Sequence, residues 1–177
     1  MVFIIVEGKT DKELIKNILS PMKENSNFKF LGLKGIDSVK KTIDNLEELG
    51  LSQNSYFAIV DADNSFKDIN EEMEKLTKTN NVPFYIFPNH KDDGDLETLL
   101  LSGIEEENKI IKCFNDYQKC VGKKVDNKAK LYAYTTLELK KRPEEYIKEL
   151  DTDNILIELK TKLKNLFKEQ KWQYYQQ

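Results

Sequence analysis

Two stretches of the sequence decide the fold, Val2–Asp11 (VFIIVEGKTD) and Tyr56–Asp63 (YFAIVDAD). Each begins with five apolar residues rich in β-branched or aromatic side chains, a pattern typical of a short buried strand. Each then passes directly into acidic residues. A carboxylate just beyond the carboxyl end of a buried parallel strand faces the crevice where open α/β sheets bind their ligands. The sequence therefore predicts two acidic strand ends in one crevice.

The carboxylates at these strand ends, Glu7, Asp61 and Asp63, would repel one another. At a separation of ~4 Å and an effective dielectric constant of ~20, two such charges repel by about 4 kcal/mol. A divalent cation is the usual compensation, and carboxylate oxygens suit Mg²⁺ or Mn²⁺. A second interpretation stays open, in which Asp61 and Asp63 only cap the next helix.

Apolar patterning along the chain alternates between strand and helix periods as far as residue 87. Strands are predicted at 2–6, 28–33, 56–60 and 83–87, with helices between them. Thr10 or Asp11 is the expected N-cap of the first helix, and Gly32 and Gly35 are expected to bracket a turn. Later helices are predicted at about 105–120, 127–140, 143–150 and 155–171. This order predicts an α/β fold with a four-stranded parallel sheet flanked by helices. We assign the core to residues 1–102 and a helical C-terminal extension, packed on it, to residues 103–177.

The composition is that of a globular protein, with 39% apolar and 33% charged residues among 177. No apolar run approaches the roughly 20 residues of a membrane span. No basic segment and cleavage site precede the first strand, so we expect no export signal and a cytoplasmic location. Cys113 and Cys120 lie seven positions apart on one helix face, and we expect them to be reduced and buried.

The charges are unevenly distributed. Residues 1–120 contain 15 Lys/Arg and 22 Asp/Glu, whereas residues 121–177 contain 13 and 9. The basic end of the chain could face a polyanion, or it could be an ordinary solvated helical surface. The composition alone leaves both open.

Gly8-Lys9-Thr10 resembles the end of a phosphate-binding P-loop, which requires another glycine five positions before Gly8. That position is Phe3, inside the first strand, so the P-loop interpretation fails. Gly8 is expected instead to let the backbone turn sharply beneath Glu7.

The order of the motifs resembles the Toprim domain family, which includes topoisomerases, bacterial primases and the OLD nucleases. Glu7-Gly8-x-x-Asp11 follows strand one, and Asp61-x-Asp63 follows strand three. The resemblance covers roughly residues 1–102 and implies a Rossmann-like Toprim core. It also implies that Glu7 is a general acid/base or metal ligand, and that Asp61 and Asp63 bind metal.

Two further features are similar to the OLD branch. Asp11 matches an additional metal ligand of that branch, and Asp95 and Glu97 follow strand four, where the branch has another acidic residue. Glu97 is the better match, because Asp95 could equally be a helix N-cap. The resemblance implies one or two Mg²⁺ or Mn²⁺ ions. It also implies a lysine from a later segment, for which we prefer Lys130 to Lys128, although both could belong to a solvated helix surface.

The resulting hypothesis is Mg²⁺- or Mn²⁺-dependent hydrolysis of phosphodiester bonds in DNA or RNA. The alternative is a non-catalytic, Toprim-like module that binds metal and nucleic acid or regulates a partner protein. A receiver domain is disfavoured, because Glu7 stands alone at its strand end and no fifth strand is evident. We expect no membrane partner, and a protein partner or a second copy of the chain stays open. His90 is expected to be exposed, and the aromatic tail Trp172–Tyr175 to dock on the protein.

Overall fold

The computed structural model describes residues 1–20, 28–32, 37–48, 54–104, 107–152 and 156–174. Strands and helices alternate first, as β1 (Val2–Val6), α1 (Lys9–Leu19), β2 (Phe28–Gly32), α2 (Asp37–Glu48), β3 (Ser55–Asp61), α3 (Phe66–Asn80) and β4 (Phe84–Phe87). Helices follow, as α4 (Leu96–Ser102), α5 (Lys109–Val121), α6 (Asn127–Leu137), α7 (Pro143–Glu149) and α8 (Ile157–Tyr174).

The four strands form one parallel sheet in the order β2-β1-β3-β4. The predicted α/β class, with a four-stranded parallel sheet flanked by helices, is therefore confirmed. Strands β1 and β3 are neighbours at its centre, and Val6 pairs with Ile59. This register brings the residues that follow β1 beside the end of β3, because parallel strands end at the same edge.

Side chains of the sheet alternate between two apolar layers, as the period of two along a strand requires. Val2, Ile4 and Val6 pack in one buried cluster with residues of α1, α4, α6, α7 and α8. Phe3 and Ile5 pack on the opposite side, in a second buried cluster with residues of α2 and α3. The central strands are covered on both faces, which is why they are continuous apolar runs.

The C-terminal helices contribute to the same core as the first strand. Leu131 of α6, Ile147 of α7 and Leu159 of α8 are at most 1% exposed and belong to the cluster that contains Ile4. These three helices therefore pack on the same face of the sheet as α1. No helix in the described part of the chain is both long enough and apolar enough to cross a membrane.

Two local predictions are wrong. The N-cap of α1 is Gly8, and Asp11 lies in the first turn instead. Cys113 and Cys120 are free, as expected, but they are exposed, because no residue of α5 is fully buried. Gly35, the end of the strand expected at residue 33 and Tyr175 of the aromatic tail lie outside the described residues.

His90 is also placed differently from the prediction. Its Nδ1 accepts a hydrogen bond from the Ile86 N–H at 3.1 Å, and its ring stacks on Tyr85 at a centroid distance of 5.3 Å. Burial and the nearby Lys162 ammonium lower the pKa of His90. These contacts make His90 a packed residue beside β4.

Asn17 of α1 ties the first helix to the end of α7. Its side-chain amide donates to the carbonyl oxygens of Ile147 at 2.7 Å and Leu150 at 3.0 Å. Carbonyls at a helix C-terminus lack partners within the helix, so the amide satisfies groups that would otherwise be unpaired. We expect Asn17→Ala to lower the free energy of unfolding by about 1–2 kcal/mol.

The matched control for Asn17→Ala is Asn70→Ala, because the Asn70 amide donates only to Glu74, at 3.0 Å on the surface of α3. Both substitutions place alanine within a helix and gain similar helix propensity. Urea denaturation followed by circular dichroism measures both. Equal changes in the two variants would contradict the proposed tether.

Candidate functional site

The first part of the site is formed where β1 and β3 end. Glu7 directly follows β1, and its Oε1 accepts a hydrogen bond of 3.3 Å from the N–H of Asp61, the last residue of β3. The backbone at Asp63 is left-handed, with φ of 48°. Asp63 is exposed and close enough to Glu7 to raise the pKa of Glu7. The structure therefore brings Glu7, Asp61 and Asp63 together, as the sequence predicts.

The loop after β4 is hydrogen-bonded to the same end of β3. The Asp63 N–H donates to the Gly94 carbonyl at 2.8 Å in an isolated antiparallel bridge. The Leu96 N–H donates to Asp61 Oδ1 at 3.1 Å. These two bonds place Glu97, in the first turn of α4 and only 6% exposed, beside the acidic strand ends.

The backbone conformation at position 94, where the loop after β4 meets the end of β3, requires glycine. Its φ is +132°, and a Cβ added there would lie 2.7 Å from Oγ1 of Thr98. Residues with a side chain rarely adopt this conformation, and the contact would clash. The glycine therefore allows the loop after β4 to approach the end of β3.

Asp11 lies in the first turn of α1 and completes the acidic cluster, which consists of Glu7, Asp11, Asp61, Asp63 and Glu97. Its Oδ2 accepts a hydrogen bond from the Gly8 N–H at 2.6 Å, and the residue is only 7% exposed. A Cβ at position 8 would lie 3.2 Å from the same oxygen, so Gly8 leaves room for the carboxylate. Carboxylates in the first turn of a helix are also favoured by its dipole.

Burial and mutual repulsion dominate the electrostatics of this cluster. Burial, followed by the charges of Asp11 and Glu7, raises the pKa of Asp61 to about 8. Burial also raises the pKa of Glu97 to about 7. The pKa values of Glu7 and Asp11 are raised, again mainly because their carboxylates are removed from water. A cation in this crevice would relieve the repulsion and favour the charged forms.

Lys128, on α6, lies in the electrostatic field of this cluster. Its pKa is raised mainly by Glu97, with smaller contributions from Asp61 and Asp95. Lys130 instead lies with Nζ 3.5 Å from Oδ1 of Asn115, and burial and the nearby Lys124 lower its pKa. The electrostatic field of the carboxylates therefore favours Lys128, whereas Lys130, preferred from the sequence, contacts Asn115.

Asp95 lies beside the cluster and has a structural role. Its Oδ1 accepts hydrogen bonds from the N–H and the hydroxyl of Thr98, at 2.7 and 2.6 Å, which makes it the N-cap of α4. Asn127, which the sequence reasoning did not include, donates to the Thr98 hydroxyl at 2.9 Å. This bond links α6 to the start of α4 and helps to place Lys128, the next residue.

Within the described part of the chain, no group of three or more His, Cys, Asp or Glu side chains is arranged to hold a metal ion. Glu7, Asp61 and Asp11 each direct an oxygen at a backbone N–H. Each carboxylate has a second oxygen with free acceptor capacity. The donor set therefore fits a hard cation chemically, and coordination by three side chains requires that some of them rotate.

A family model described as a protein of unknown function (DUF3226) matches residues 1–169. The chain belongs to this family. The DUF3226 match spans both the sheet and most of the C-terminal helices, so it includes every residue of the acidic cluster and Lys128. No curated protein and no solved structure shows significant similarity to the chain. The DUF3226 description assigns no activity, and the Toprim resemblance stays a prediction.

Proposed function

We propose that this protein hydrolyses phosphodiester bonds in nucleic acid, with Mg²⁺ or Mn²⁺ bound by the acidic cluster. The observation that carries the proposal is that carboxylates from three separate segments meet at one sheet edge. They are Glu7 and Asp11 after β1, Asp61 and Asp63 at the end of β3, and Glu97 after β4. A stable fold has no evident need for so many carboxylates in one crevice, since they repel one another.

The ligands we assign are oxygen donors throughout. Glu7, Asp61 and Asp63 would hold one ion, and Asp11 and Glu97 border the position for a second. Divalent ions bound in this way neutralise the charge that develops on a phosphoryl group during attack by water. Asp95 is assigned to the N-cap of α4 and is the weakest candidate ligand, because its Oδ1 already accepts two hydrogen bonds from Thr98.

The chain's own side chains would supply proton transfer and further charge stabilisation. Glu7 is only partly buried, and burial raises its pKa, which makes its carboxyl group more basic and a candidate for proton transfer. The Lys128 ammonium lies in the field of Glu97 and Asp61, where it would face a bound phosphate. We also propose that the protein acts in the cytoplasm, where thiols such as those of Cys113 and Cys120 stay reduced.

The proposal is tested by cleavage of labelled single- and double-stranded DNA and RNA with Mg²⁺ or Mn²⁺, and with EDTA. We expect metal-dependent cleavage that falls by roughly 100-fold or more in Asp61→Asn and in Glu7→Gln, because each removes a charged ligand. Glu74→Gln on the exposed surface of α3 is the control and should cleave normally. If the wild-type protein leaves every substrate intact with both metals, the nuclease proposal is wrong.

A non-catalytic module is the second candidate, and the hydrogen bonding of the carboxylates favours it. Three of them accept bonds from backbone N–H groups at strand and helix ends, so part of their role is structural. In that case Mn²⁺ should raise the thermal midpoint of the wild-type protein and leave that of Asp61→Asn unchanged, without any cleavage.

A further inference from the structure

The turn between α5 and α6 carries a concentration of positive charge. Residues 109–130 contain seven lysines and two aspartates, a net charge of +5 in a chain whose total is −3. The rest of the protein therefore carries −8. Such segregation of charge creates a local field that attracts polyanions.

A groove at this turn is lined by cations and amides. Its volume is about 480 Å³, and its walls are formed by Asn115, Gln118, Lys119, Gly122, Lys123 and Lys124. No carboxylate lines it. Every charged or polar side chain on its wall can therefore donate hydrogen bonds, which is what a phosphate oxygen accepts.

The lysines of the groove are largely uncompensated. Lys119 pairs with Asp116 at 3.5 Å, and both side chains are more than 60% exposed, so this pair contributes little. Among the residues that the structure describes, Lys123 and Lys124 form no ion pair within 4.0 Å. Lys130 lies within the field of Lys124, which adds to the effect of burial in lowering the pKa of Lys130, as expected for two positive charges that are close.

The groove continues toward the acidic cluster. Lys124 also lines a second cavity of about 380 Å³, which Asp63, Gly94 and Asp95 line as well. Asn127 borders the second cavity as well. Lys124 therefore lies between the lysine-lined groove and a cavity that reaches Asp63, beyond the end of β3.

We propose that the α5–α6 groove binds the phosphodiester backbone of a nucleic-acid strand whose reacting phosphate lies at the acidic cluster. Lys119, Lys123 and Lys124 would each contact a backbone phosphate. The inference rests on the proposed function for the position of the reacting phosphate, whereas binding in the groove requires no cleavage. A polyanion suits the site because the groove is lined by lysines. The neighbouring cavity adds carboxylates, whose charge a bound metal ion would neutralise. Contacts of this kind position a strand without reading its sequence.

The test measures binding of fluorescein-labelled single-stranded DNA, RNA and duplex DNA by anisotropy, in EDTA and over a range of salt concentrations. We expect Lys119→Ala/Lys123→Ala/Lys124→Ala to weaken binding by roughly 30- to 100-fold. We also expect the slope of log affinity against log salt to fall by about 2–3, since each lost phosphate contact removes a little under one unit. Sequence changes in the oligonucleotide should have little effect.

The control is Lys67→Ala/Lys75→Ala/Lys78→Ala on α3, which removes the same charge from exposed positions outside the groove. It should leave affinity and salt slope close to wild type. Equal losses in the two triple variants would overturn the proposal, since net charge alone would then explain binding. Absence of salt-dependent binding by the wild type would overturn it too, as would equally tight binding of polyglutamate, which would indicate an acidic protein as partner.

The readouts separate this inference from the nuclease proposal. Binding that depends on the groove lysines, in a protein that cleaves nothing, would support the groove and refute the nuclease. If the protein does cleave, the groove variant should raise KM and leave kcat nearly unchanged, because contacts with the strand backbone hold the substrate and the transition state equally. A loss of kcat in the groove variant, with KM unchanged, would overturn the groove assignment.

Discussion

Asp61→Asn is expected to stabilise the metal-free protein by about 2 kcal/mol at pH 7. The reason is that Asp61 is partly buried, and its removal from water, together with the charges of Asp11, Glu7 and Glu97, raises its pKa to about 8. The repulsion is shared among all four acids, so replacing the Asp61 carboxylate with a neutral amide relieves only part of it. Asparagine keeps an oxygen that can accept the hydrogen bond from the Leu96 N–H.

The pH dependence follows from the direction of the same shift. The folded protein holds a proton on Asp61 up to about pH 8, whereas the unfolded chain releases it near pH 4. The stabilisation is therefore fully present below about pH 4 and is lost as the pH rises toward 8. Glu97, with a pKa of about 7, acts in the same direction. We expect the stability of the wild-type protein in EDTA to fall between pH 5 and 8, and to fall less in Asp61→Asn.

A divalent cation should reverse this behaviour in the wild-type protein. Binding requires the charged carboxylates, so Mn²⁺ at roughly 100 times its Kd would add about 2.7 kcal/mol to the free energy of unfolding. For a chain of this size that corresponds to a rise of about 5–10 °C in Tm. Differential scanning fluorimetry with EDTA, Mg²⁺ or Mn²⁺ across this pH range measures both effects. A destabilised Asp61→Asn in EDTA, or one with the full Mn²⁺ response, would contradict this account.

Lys128→Met is expected to slow cleavage by about 10- to 100-fold while it preserves the response to metal. Lys128 is the lysine whose charge acts on Glu97 and Asp61. The positive charge of Lys128 lowers the pKa values of Glu97 and Asp11. Its removal should therefore raise both pKa values further. A cation then meets less competition from the lysine, and the Mn²⁺-dependent rise in Tm should be unchanged or larger.

Lys130→Met is the matched control, because it changes the same residue type on the same helix and removes the same charge. Lys130 contacts Asn115 and lies in the field of Lys124, away from the carboxylates. We expect cleavage at saturating substrate within about twofold of wild type, the usual size of a surface substitution effect. A larger loss of kcat in Lys130→Met than in Lys128→Met would reverse the assignment of the two lysines.

Much of the fold could be predicted because the signals that determine it are local. The apolar runs at Val2–Val6 and Tyr56–Val60 are buried on both faces, and such runs are evident in the sequence. The acidic residues that follow them reach one sheet edge because parallel strands place their carboxyl ends together. The convergence of Glu7, Asp61 and Asp63 was therefore predictable without coordinates.

Other features depend on which surface of a helix packs against the rest of the protein. Cys113 and Cys120 share a helix face, and nothing local to α5 determines whether that face is covered, so the prediction of burial is wrong. The bond from Asn127 to Thr98 likewise joins residues 29 positions apart, and no local pattern indicates it.

The sequence by itself determined the alternation of strands and helices and the acidic strand ends of β1 and β3, because periodicity and charge are properties of neighbouring residues. Only the tertiary structure decided which lysine approaches them. Lys128 and Lys130 lie two residues apart and therefore about 200° apart around α6. The packing of α6 against α4 then brings Lys128 into the electrostatic field of Glu97 and leaves Lys130 beside Asn115.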